Sequence, residues 1–396
     1  MSSATTFRQS LSLLKTRRYG TYWVTSLLGS LGTWVQQVAQ PWLMLSITGS
    51  SFMLGLDSFA MDAPIWLLTV LGGELADRAD RRKVIFWNQA LQGMTPVLLM
   101  VLVLMNRVNP WVIISCSLII GVTDALSMPS YSSIVPSIVE REQVGAGIAL
   151  KSMQFNLSRI VGPAIAGVLL TSVGAAACFG ISAASYVPFI LTAWLVLPKY
   201  TPPKDLPAQS SLLSGVKEIL AQRQLRGALM TAITTGLLCS PIITFTPVLI
   251  REAFHGGPEF FSAALSGFGV GGIIGATTLL AMENRFDRRV VSSNAGAVYG
   301  AIVLLAGLTP WLWSVPVLMG VAGVAMSFSN TQANSILQLE SGARRGQAAS
   351  LFMLAMRGGM SLGALLTGSV ATGLSIRWAL AINGGLAVVM HLLIGG

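Results

Sequence analysis

Long apolar stretches alternate with short polar connectors from one end of the chain to the other. A helix that spans a bilayer needs about 20 mostly apolar residues, and twelve segments meet that length. They lie at 20–46, 50–76, 84–106, 109–137, 146–172 and 174–197, and again at 227–251, 258–282, 290–308, 311–338, 347–371 and 376–395. The pattern predicts an all-α polytopic membrane protein with twelve transmembrane helices.

The composition favours a membrane protein over a soluble one. Hydrophobic residues make up 53% of the 396 residues and charged residues only 10%, whereas soluble domains carry about 25% charged residues. The formal charge of +10 does not indicate a nucleic-acid partner, because the lysines and arginines are spread over short connectors and form no basic domain.

The most polar stretch of the chain separates the sixth apolar segment from the seventh. Residues 199–225 begin with a proline-rich half, which is typical of a linker. The second half places leucines at helical spacing, which indicates a short helix on the membrane surface, with an ordinary flexible loop as the alternative. We therefore expect an N-terminal six-helix bundle at 1–198, this cytoplasmic linker, and a C-terminal six-helix bundle at 226–396.

The positions of lysine and arginine predict the orientation in the membrane. Cytoplasmic connectors retain these residues. With the N-terminus in the cytoplasm, nineteen of them fall on the cytoplasmic side and three, Arg107, Arg251 and Arg377, on the other. Both termini are therefore predicted to be cytoplasmic, which agrees with an even number of spans.

Two sequence matches predict that the chain is a duplicated six-helix unit. The stretch "DRADRR" at 77–82 shares four of six residues with "NRFDRR" at 284–289, which lies 207 positions later. A second match, at an offset of 201, places Gly145, Gly162 and Gly167 over Gly346, Gly363 and Gly368. Two parallel halves with a binding site between them are a common plan of transporters.

The loop "GELADRADRRK" at 73–83 resembles the signature loop of the major facilitator superfamily, with Asp80 in the place of its second glycine. The stretches "LGTWVQQVAQPWL" and "NLSRIVGPAIAG" further resemble the branch that contains the enterobactin exporter and related drug exporters. The resemblance implies a conformational latch that forms and breaks during transport. Its residues are Gly73, Asp77, Arg78, Arg81 and Arg82. The alternative is that this cluster only anchors the topology.

Four charged residues in the predicted spans are candidates for function, because a charge at membrane depth costs ~2.5–3.5 kcal/mol or more. Asp62 in the second helix and Asp124 in the fourth are the proton-coupling candidates. Arg159 in the fifth helix is either a static partner of Asp124 or a sensor of its charge, and it is also a substrate-binding candidate. Arg357 in the eleventh helix has no acidic residue nearby in sequence.

An unpaired Arg357 near the membrane midplane is expected to face a water-filled cavity, which favours an anionic group on the substrate. The alternative is a bond to backbone carbonyls at a helix break beside Gly358 and Gly359.

Uncharged polar residues complete the predicted substrate site. Gln36, Gln37 and Gln40 lie on the first helix and cannot all face lipid at low cost, so they contact either the substrate or neighbouring helices. Asn330 and Asn334 lie on successive turns of the tenth helix and are predicted to line the same cavity.

The fifth helix also resembles the antiporter motif of the superfamily, with strict matches at Gly162, Pro163 and Gly167. That resemblance implies tight packing between the halves and favours export over uptake. The arginine that proton-coupled drug exporters carry in the fourth helix is missing from "IIGVTDAL". Proton coupling is therefore an inference from Asp62 and Asp124 and cannot be transferred from the family.

These features predict a secondary transporter of the bacterial inner membrane that exports a small organic molecule, either a siderophore or a drug-like compound, by alternating access and proton antiport. A lipid or lysolipid flippase of the same fold is the alternative. No catalytic motif indicates an enzyme. We expect no cofactor and no metal. The expected partners are the substrate, protons and the lipid bilayer, with no nucleic acid, and the protein is expected to be monomeric.

Overall fold

The computed structural model describes residues 12–199, 221–282, 287–341 and 345–395. The long helices are numbered in chain order. In the first half they are α1 (Arg17–Thr48), α2 (Ser51–Arg78), α3 (Arg81–Leu104), α4 (Pro110–Ser132), α5 (Val144–Ser172) and α6 (Ala175–Leu195). In the second half they are α7 (Arg223–Ala253), α8 (Pro258–Ala281), α9 (Arg288–Leu308), α10 (Ser314–Glu340), α11 (Arg345–Gly373) and α12 (Ile376–Gly395).

The observed helices follow the apolar segments of the sequence closely. Short helical turns at Ile134–Ile138 and Arg141–Gln143 connect α4 to α5, and no strand occurs among the described residues. By length and composition, ten helices within the described part of the chain can cross a membrane. The two remaining long helices are α1, which carries Gln36, Gln37 and Gln40, and α2, which carries Asp62. The all-α membrane fold is confirmed, and the count of twelve spans and the orientation stay predictions.

Helix α7 is not the regular helix that the sequence predicts over 227–251. Its α-helical parts, Arg223–Thr234 and Pro241–Val248, are separated by a π-helical turn at Thr235–Cys239, and a second π turn follows at Leu249–Ala253. At the first turn, the Ser240 amide donates to the Thr235 carbonyl at 2.9 Å. Pro241 begins the helical part that follows this turn, and its nitrogen cannot donate a backbone hydrogen bond. The apolar periodicity of the sequence gives no sign of a π turn.

Glycines let α8 and α10 approach each other closely. A Cβ atom at Gly267 would meet the carbonyl of Pro316, and a Cβ atom at Gly275 would lie 2.8 Å from atoms of Ser327 and Val324. Gly271 lies against the Gly320 carbonyl in the same seam. The glycines of "GFGVGGIIG" therefore form a packing surface. In lipid, burial of apolar surface does not drive helices together, and small residues allow the close van der Waals contact that does.

The repeated "DRR" sequence begins the third helix of each half in the same way. The Asp80 carboxylate accepts a hydrogen bond from the Arg82 amide at 3.1 Å, and the Asp287 carboxylate accepts one from the Arg289 amide at 2.9 Å. Each aspartate is thus the N-cap of its helix, α3 or α9. This role explains why an aspartate stands at 80, where the superfamily loop usually has glycine.

Two compact units can be distinguished, and their borders lie within α1 and α2. The first contains α1 up to Gln40 and, from Leu67 onward, the rest of the N-terminal helices; the second contains residues 41–66 and helices α7 to α12. In the second unit, Arg251 donates to the Ser46 hydroxyl at 2.9 Å. The division into bundles at 1–198 and 226–396 stays a prediction. It rests on the repeat in the sequence, whereas the two units describe which segments pack together.

The glycine seam yields a prediction about stability. Replacing Gly271 with alanine should lower the free energy of unfolding by about 1–3 kcal/mol, because the new methyl group overpacks the contact with Gly320. Replacing Gly385 of α12 should instead raise it by roughly 0.5–1 kcal/mol, since a Cβ there meets nothing within 4 Å. Thermal unfolding of both purified variants in detergent measures the two shifts. Shifts of the same sign would contradict the packing role of Gly271.

Candidate functional site

Asp62 and Arg357 form an ion pair near the middle of their helices. An Nη1 of Arg357 on α11 donates to an Oδ1 of Asp62 on α2 at 2.6 Å, and both residues belong to the second compact unit. The Asp62 side chain is 5% exposed, whereas the Arg357 side chain is 38% exposed. One partner is therefore buried and the other can reach water. The pair joins one proton-coupling candidate directly to one substrate-binding candidate.

Small residues bring these two helices together around the pair. A Cβ atom at Gly55 of α2 would lie 2.6 Å from the Ala364 carbonyl, and one at Gly368 of α11 would lie 2.7 Å from the Ser51 carbonyl. Gly358 lies next to the Trp66 ring, at 3.3 Å from an added Cβ. The close approach places the guanidinium of α11 within reach of a short aspartate side chain.

The expectation that Arg357 has no acidic partner is wrong. Asp62 lies 295 positions away in sequence, so only the packing of α2 on α11 identifies it. The alternative of a helix break beside Gly358 and Gly359 also fails, because α11 continues as an α-helix from Arg345 to Gly373. An anionic substrate can no longer be argued from an unpaired arginine.

Asp124 has a different environment from Asp62. Its side chain is exposed, and its Oδ1 accepts a hydrogen bond from Gln92 Nε2 at 2.6 Å. Gln92 in turn accepts from Gln89 at 2.9 Å, so a chain of amides on α3 leads to the carboxylate. Arg159 is half-buried on α5, and its relation to Asp124 stays a prediction. An exposed aspartate within a span is expected to face water and not lipid.

Two of the three glutamines on α1 make contacts with neighbouring helices. Gln36 is 3% exposed and accepts from the Ser182 hydroxyl at 3.0 Å, and its amide nitrogen donates to Gln40 at 3.3 Å. Gln40 donates to the Ser117 hydroxyl at 2.6 Å. The bonds to Ser182 and Ser117 join α1 to α6 and α4, and these are the interhelical hydrogen bonds that the sequence left as an alternative to substrate contacts. Gln37 is half-buried on the same helix.

Asn330 and Asn334 line one polar cleft, as their spacing predicts. The cleft has a volume of about 340 Å³. Its other lining residues are Thr331, Ser335 and Gln338 of α10 and Phe352 of α11. Gln338 donates to Asn334 at 2.9 Å, while the buried Oδ1 of Asn330 has no hydrogen-bond partner among the described residues. Amides and hydroxyls without a charge suit a ligand with several hydrogen-bonding groups.

The described part of the signature loop is held to α6. Arg82 donates to the Trp194 carbonyl at 3.1 Å, and its guanidinium lies 5.0 Å from the centre of the Trp194 ring. Arg81 is half-buried. The side chains of Gly73, Asp77 and Arg78 lie outside the described residues, so the latch stays a prediction.

The small residues of α5 pack within one half of the sequence. A Cβ atom at Gly162 would collide with Trp34 and would lie 3.2 Å from the Leu31 carbonyl, both on α1. The tight packing that the motif predicts is present. At Gly162 the neighbour is α1, a helix of the same compact unit, and the packing between the halves stays a prediction.

The second unit also contains a buried histidine. His391 on α12 is 0% exposed, and its Nε2 lies 3.4 Å from the Thr235 hydroxyl at the first π turn of α7. Its Nδ1 has no hydrogen-bond partner among the described residues, and Gly296 leaves room for the ring. Because Thr235 lies 156 positions away, no local sequence signal could identify this pair.

Comparisons with known proteins agree with this architecture. The sequence profile of the family described as "Transmembrane secretion effector" matches residues 8–395. The chain is 28% identical over 263 residues to the staphyloferrin A transporter of Staphylococcus aureus, covering 65% of this chain and 66% of that protein. It is 27% identical to the multidrug efflux pump Tap of Mycobacterium bovis, covering 87% and 84%. It is also 27% identical to the enterobactin exporter EntS of Shigella boydii, covering 83% and 78%.

Solved structures are similar in fold. The nucleoside transporter NupG superposes with a TM-score of 0.76 at 15% identity, covering 96% of this chain and 98% of that one. A bacterial homologue of the human lysosomal transporter Spinster, in an inward-facing and unoccupied conformation, gives a TM-score of 0.76 at 13% identity, with the same coverage of 96% and 98%. At these identities the likeness shows the fold alone.

The ion pair yields a second prediction. Replacing Arg357 with alanine should lower the free energy of unfolding by about 3 kcal/mol, because it leaves the buried Asp62 carboxylate without its charge partner. The double variant Asp62→Ala with Arg357→Met should recover most of the loss. Thermal unfolding in detergent compares the variants. If Arg357→Ala unfolds at the same temperature as the unaltered protein, the pair does not stabilise the fold.

Proposed function

The chain belongs to the transmembrane secretion effector family, a group of transporters within the major facilitator superfamily and not enzymes, and we propose that it exports a small organic molecule across the bacterial inner membrane. A siderophore or a drug-like compound is the proposed cargo. The relatives named for staphyloferrin A, enterobactin and multidrug efflux support this class of substrate. The observation that carries the proposal is the ion pair between Asp62 and Arg357.

The chemistry of this pair suits coupling to protons. The Asp62 carboxylate is 5% exposed and is bonded to the Arg357 guanidinium, so in the proposed cycle a proton on this carboxylate and the bond to Arg357 are alternatives. Because the arginine side chain is 38% exposed, water and a polar ligand can reach it. In the proposed cycle, proton uptake by Asp62 releases Arg357, and loss of the proton restores the pair. Because one state holds the proton and the other does not, the proton gradient can drive the cycle and with it the export of the cargo.

The polar cleft on α10 and α11 is the proposed contact surface for the cargo. Phe352 in the cleft and Arg357 both lie on α11, five positions apart. The buried Asn330 oxygen, which has no hydrogen-bond partner among the described residues, is the proposed acceptor for a hydroxyl or amide of the ligand. A cargo with several hydroxyl, amide or carboxylate oxygens would contact the cleft and compete with Asp62 for the arginine. In the first unit, Arg159 and Gln37 stay candidates for substrate binding, and Asp124 stays a candidate for proton coupling.

Proton-coupled export can be tested in everted membrane vesicles that are energised to build a proton gradient. Carboxylate siderophores, cationic drugs and neutral antibiotics are added in turn, and dissipation of the gradient is recorded. One class of compound should dissipate it in vesicles that contain the protein. The response should disappear with Asp62→Asn, because asparagine cannot exchange a proton, and should persist with Gly385→Ala as a matched control.

The outcomes separate the parts of this proposal. A response that Asp62→Asn preserves would contradict the role of Asp62 and leave proton antiport intact. Silence toward every compound, with folded protein in the vesicles, would contradict export of these classes. In that case a fluorescent lysolipid, followed across the same membranes, tests the flippase alternative.

The conformational latch can be tested with a matched pair of variants in the signature loop. Asp77→Asn should reach the membrane and reduce transport at least tenfold, because the amide cannot form the charge-assisted bond of the proposed latch. Asp80→Asn should transport normally, because asparagine is as good an N-cap as aspartate. Transport rates per folded protein measure both effects. Normal transport by Asp77→Asn would reduce the loop to a topology anchor.

A further inference from the structure

A small cleft in the second compact unit is lined by two arginines. Arg223 begins α7 and Arg289 lies in the first turn of α9, and both side chains are exposed. The cleft has a volume of about 110 Å³. Its other lining residues are Gln224, Gly227, Ala228, Thr231, Ser292, Ile336, Ile394 and Gly395. No acidic side chain is among these lining residues.

The lining divides into a polar and an apolar part. The two guanidinium groups and the Gln224 amide supply hydrogen-bond donors. Thr231 and Ser292 are each 2% exposed and lie at the buried side of the polar part. Ile336 and Ile394 form apolar wall on the membrane-spanning helices. A ligand that fits both parts has a compact anionic group next to hydrocarbon.

Among the described residues, the acidic side chain closest to Arg289 in sequence is Asp287, and it serves as a helix cap. Asp287 precedes α9, and its oxygen accepts from the backbone amide of Arg289, so it is used as the helix cap. It is not one of the residues that line the cleft. Asp287 is thus bonded to the backbone amide of Arg289, while Arg289 itself is one of the residues that line the cleft.

The position of the cleft along the helices fixes the kind of anion. The starts of α7 and α9 and the end of α12 meet here, and the distribution of lysine and arginine predicts that all three ends are cytoplasmic. At this depth the neighbouring anions are phosphates of the cytoplasmic leaflet. Basic clefts between transmembrane helices on this side suit anionic lipid headgroups.

We propose that this cleft binds the phosphate of an anionic phospholipid of the cytoplasmic leaflet, with Arg223 and Arg289 as its charge partners. The phosphate oxygens accept from the guanidinium groups, and the start of the acyl chains lies along Ile336 and Ile394. The bound lipid connects the ends of α7, α9 and α12 without touching the ion pair of Asp62 and Arg357. The site is independent of the transported substrate.

Native mass spectrometry of the detergent-solubilised protein, titrated with dioleoyl phosphatidylglycerol, tests the site. The unaltered protein should bind this lipid at least tenfold more tightly than dioleoyl phosphatidylcholine. The double variant Arg223→Gln with Arg289→Gln should lose roughly 25-fold in affinity, because the attraction of each arginine to an anionic headgroup contributes about fivefold. Arg288→Gln is the matched control, because Arg288 adjoins Arg289 but does not line the cleft.

A second variant keeps the test decisive if the double variant does not fold. Ile394→Trp retains both arginines and fills the apolar side of the cleft, and it should reduce binding of phosphatidylglycerol to the level of phosphatidylcholine. Unchanged affinity in a folded cleft variant would overturn the proposal, as would an equal loss with Arg288→Gln. Displacement of the lipid by inorganic phosphate at equal concentration would assign the cleft to free phosphate and overturn the lipid assignment.

Discussion

The ion pair between Asp62 and Arg357 is the interaction on which the arrangement of α2 and α11 depends. In a bilayer, neither charge can be left without a partner at low cost, so the helices must meet where the two side chains reach each other. The two side chains meet at 2.6 Å, and the glycines on either side of the pair let the helices approach closely enough for this contact. The same interaction is reversible in principle, because Arg357 is accessible to water while Asp62 is not.

Close packing of glycine and other small residues provides much of the remaining specificity. Lipid is as apolar as leucine, so burial of apolar surface does not drive helices together as it does in water. The seams of α8 with α10, of α2 with α11 and of α5 with α1 each have glycine at the point of closest approach. Interhelical hydrogen bonds such as those of Gln36 and Gln40 then fix the helices of the first unit in register.

The charged loop at 73–83 combines a structural and a proposed functional role, and the two can be assigned to different residues. Asp80 caps α3, and Asp287 repeats this cap in the second half. Arg82 is held by Trp194 at the end of α6. The repeated "DRR" part of the motif is therefore explained by N-capping of α3 and α9. The part of the proposed latch that these contacts do not explain is Asp77, whose charge the second half does not repeat, since Asn284 stands at the equivalent position.

The sequence by itself determined the helical segments and the family, because each is a local or periodic property of the chain: apolar length and a loop motif. It also placed Asn330 and Asn334 on one surface, since residues four apart share a helix face. Only the tertiary structure decided that Asp62 is the partner of Arg357, that Gln36 and Gln40 are bonded to other helices, and that His391 meets a π turn of α7. Each of these contacts joins residues far apart in sequence, and the packing of helices that brings them together leaves no trace in local periodicity.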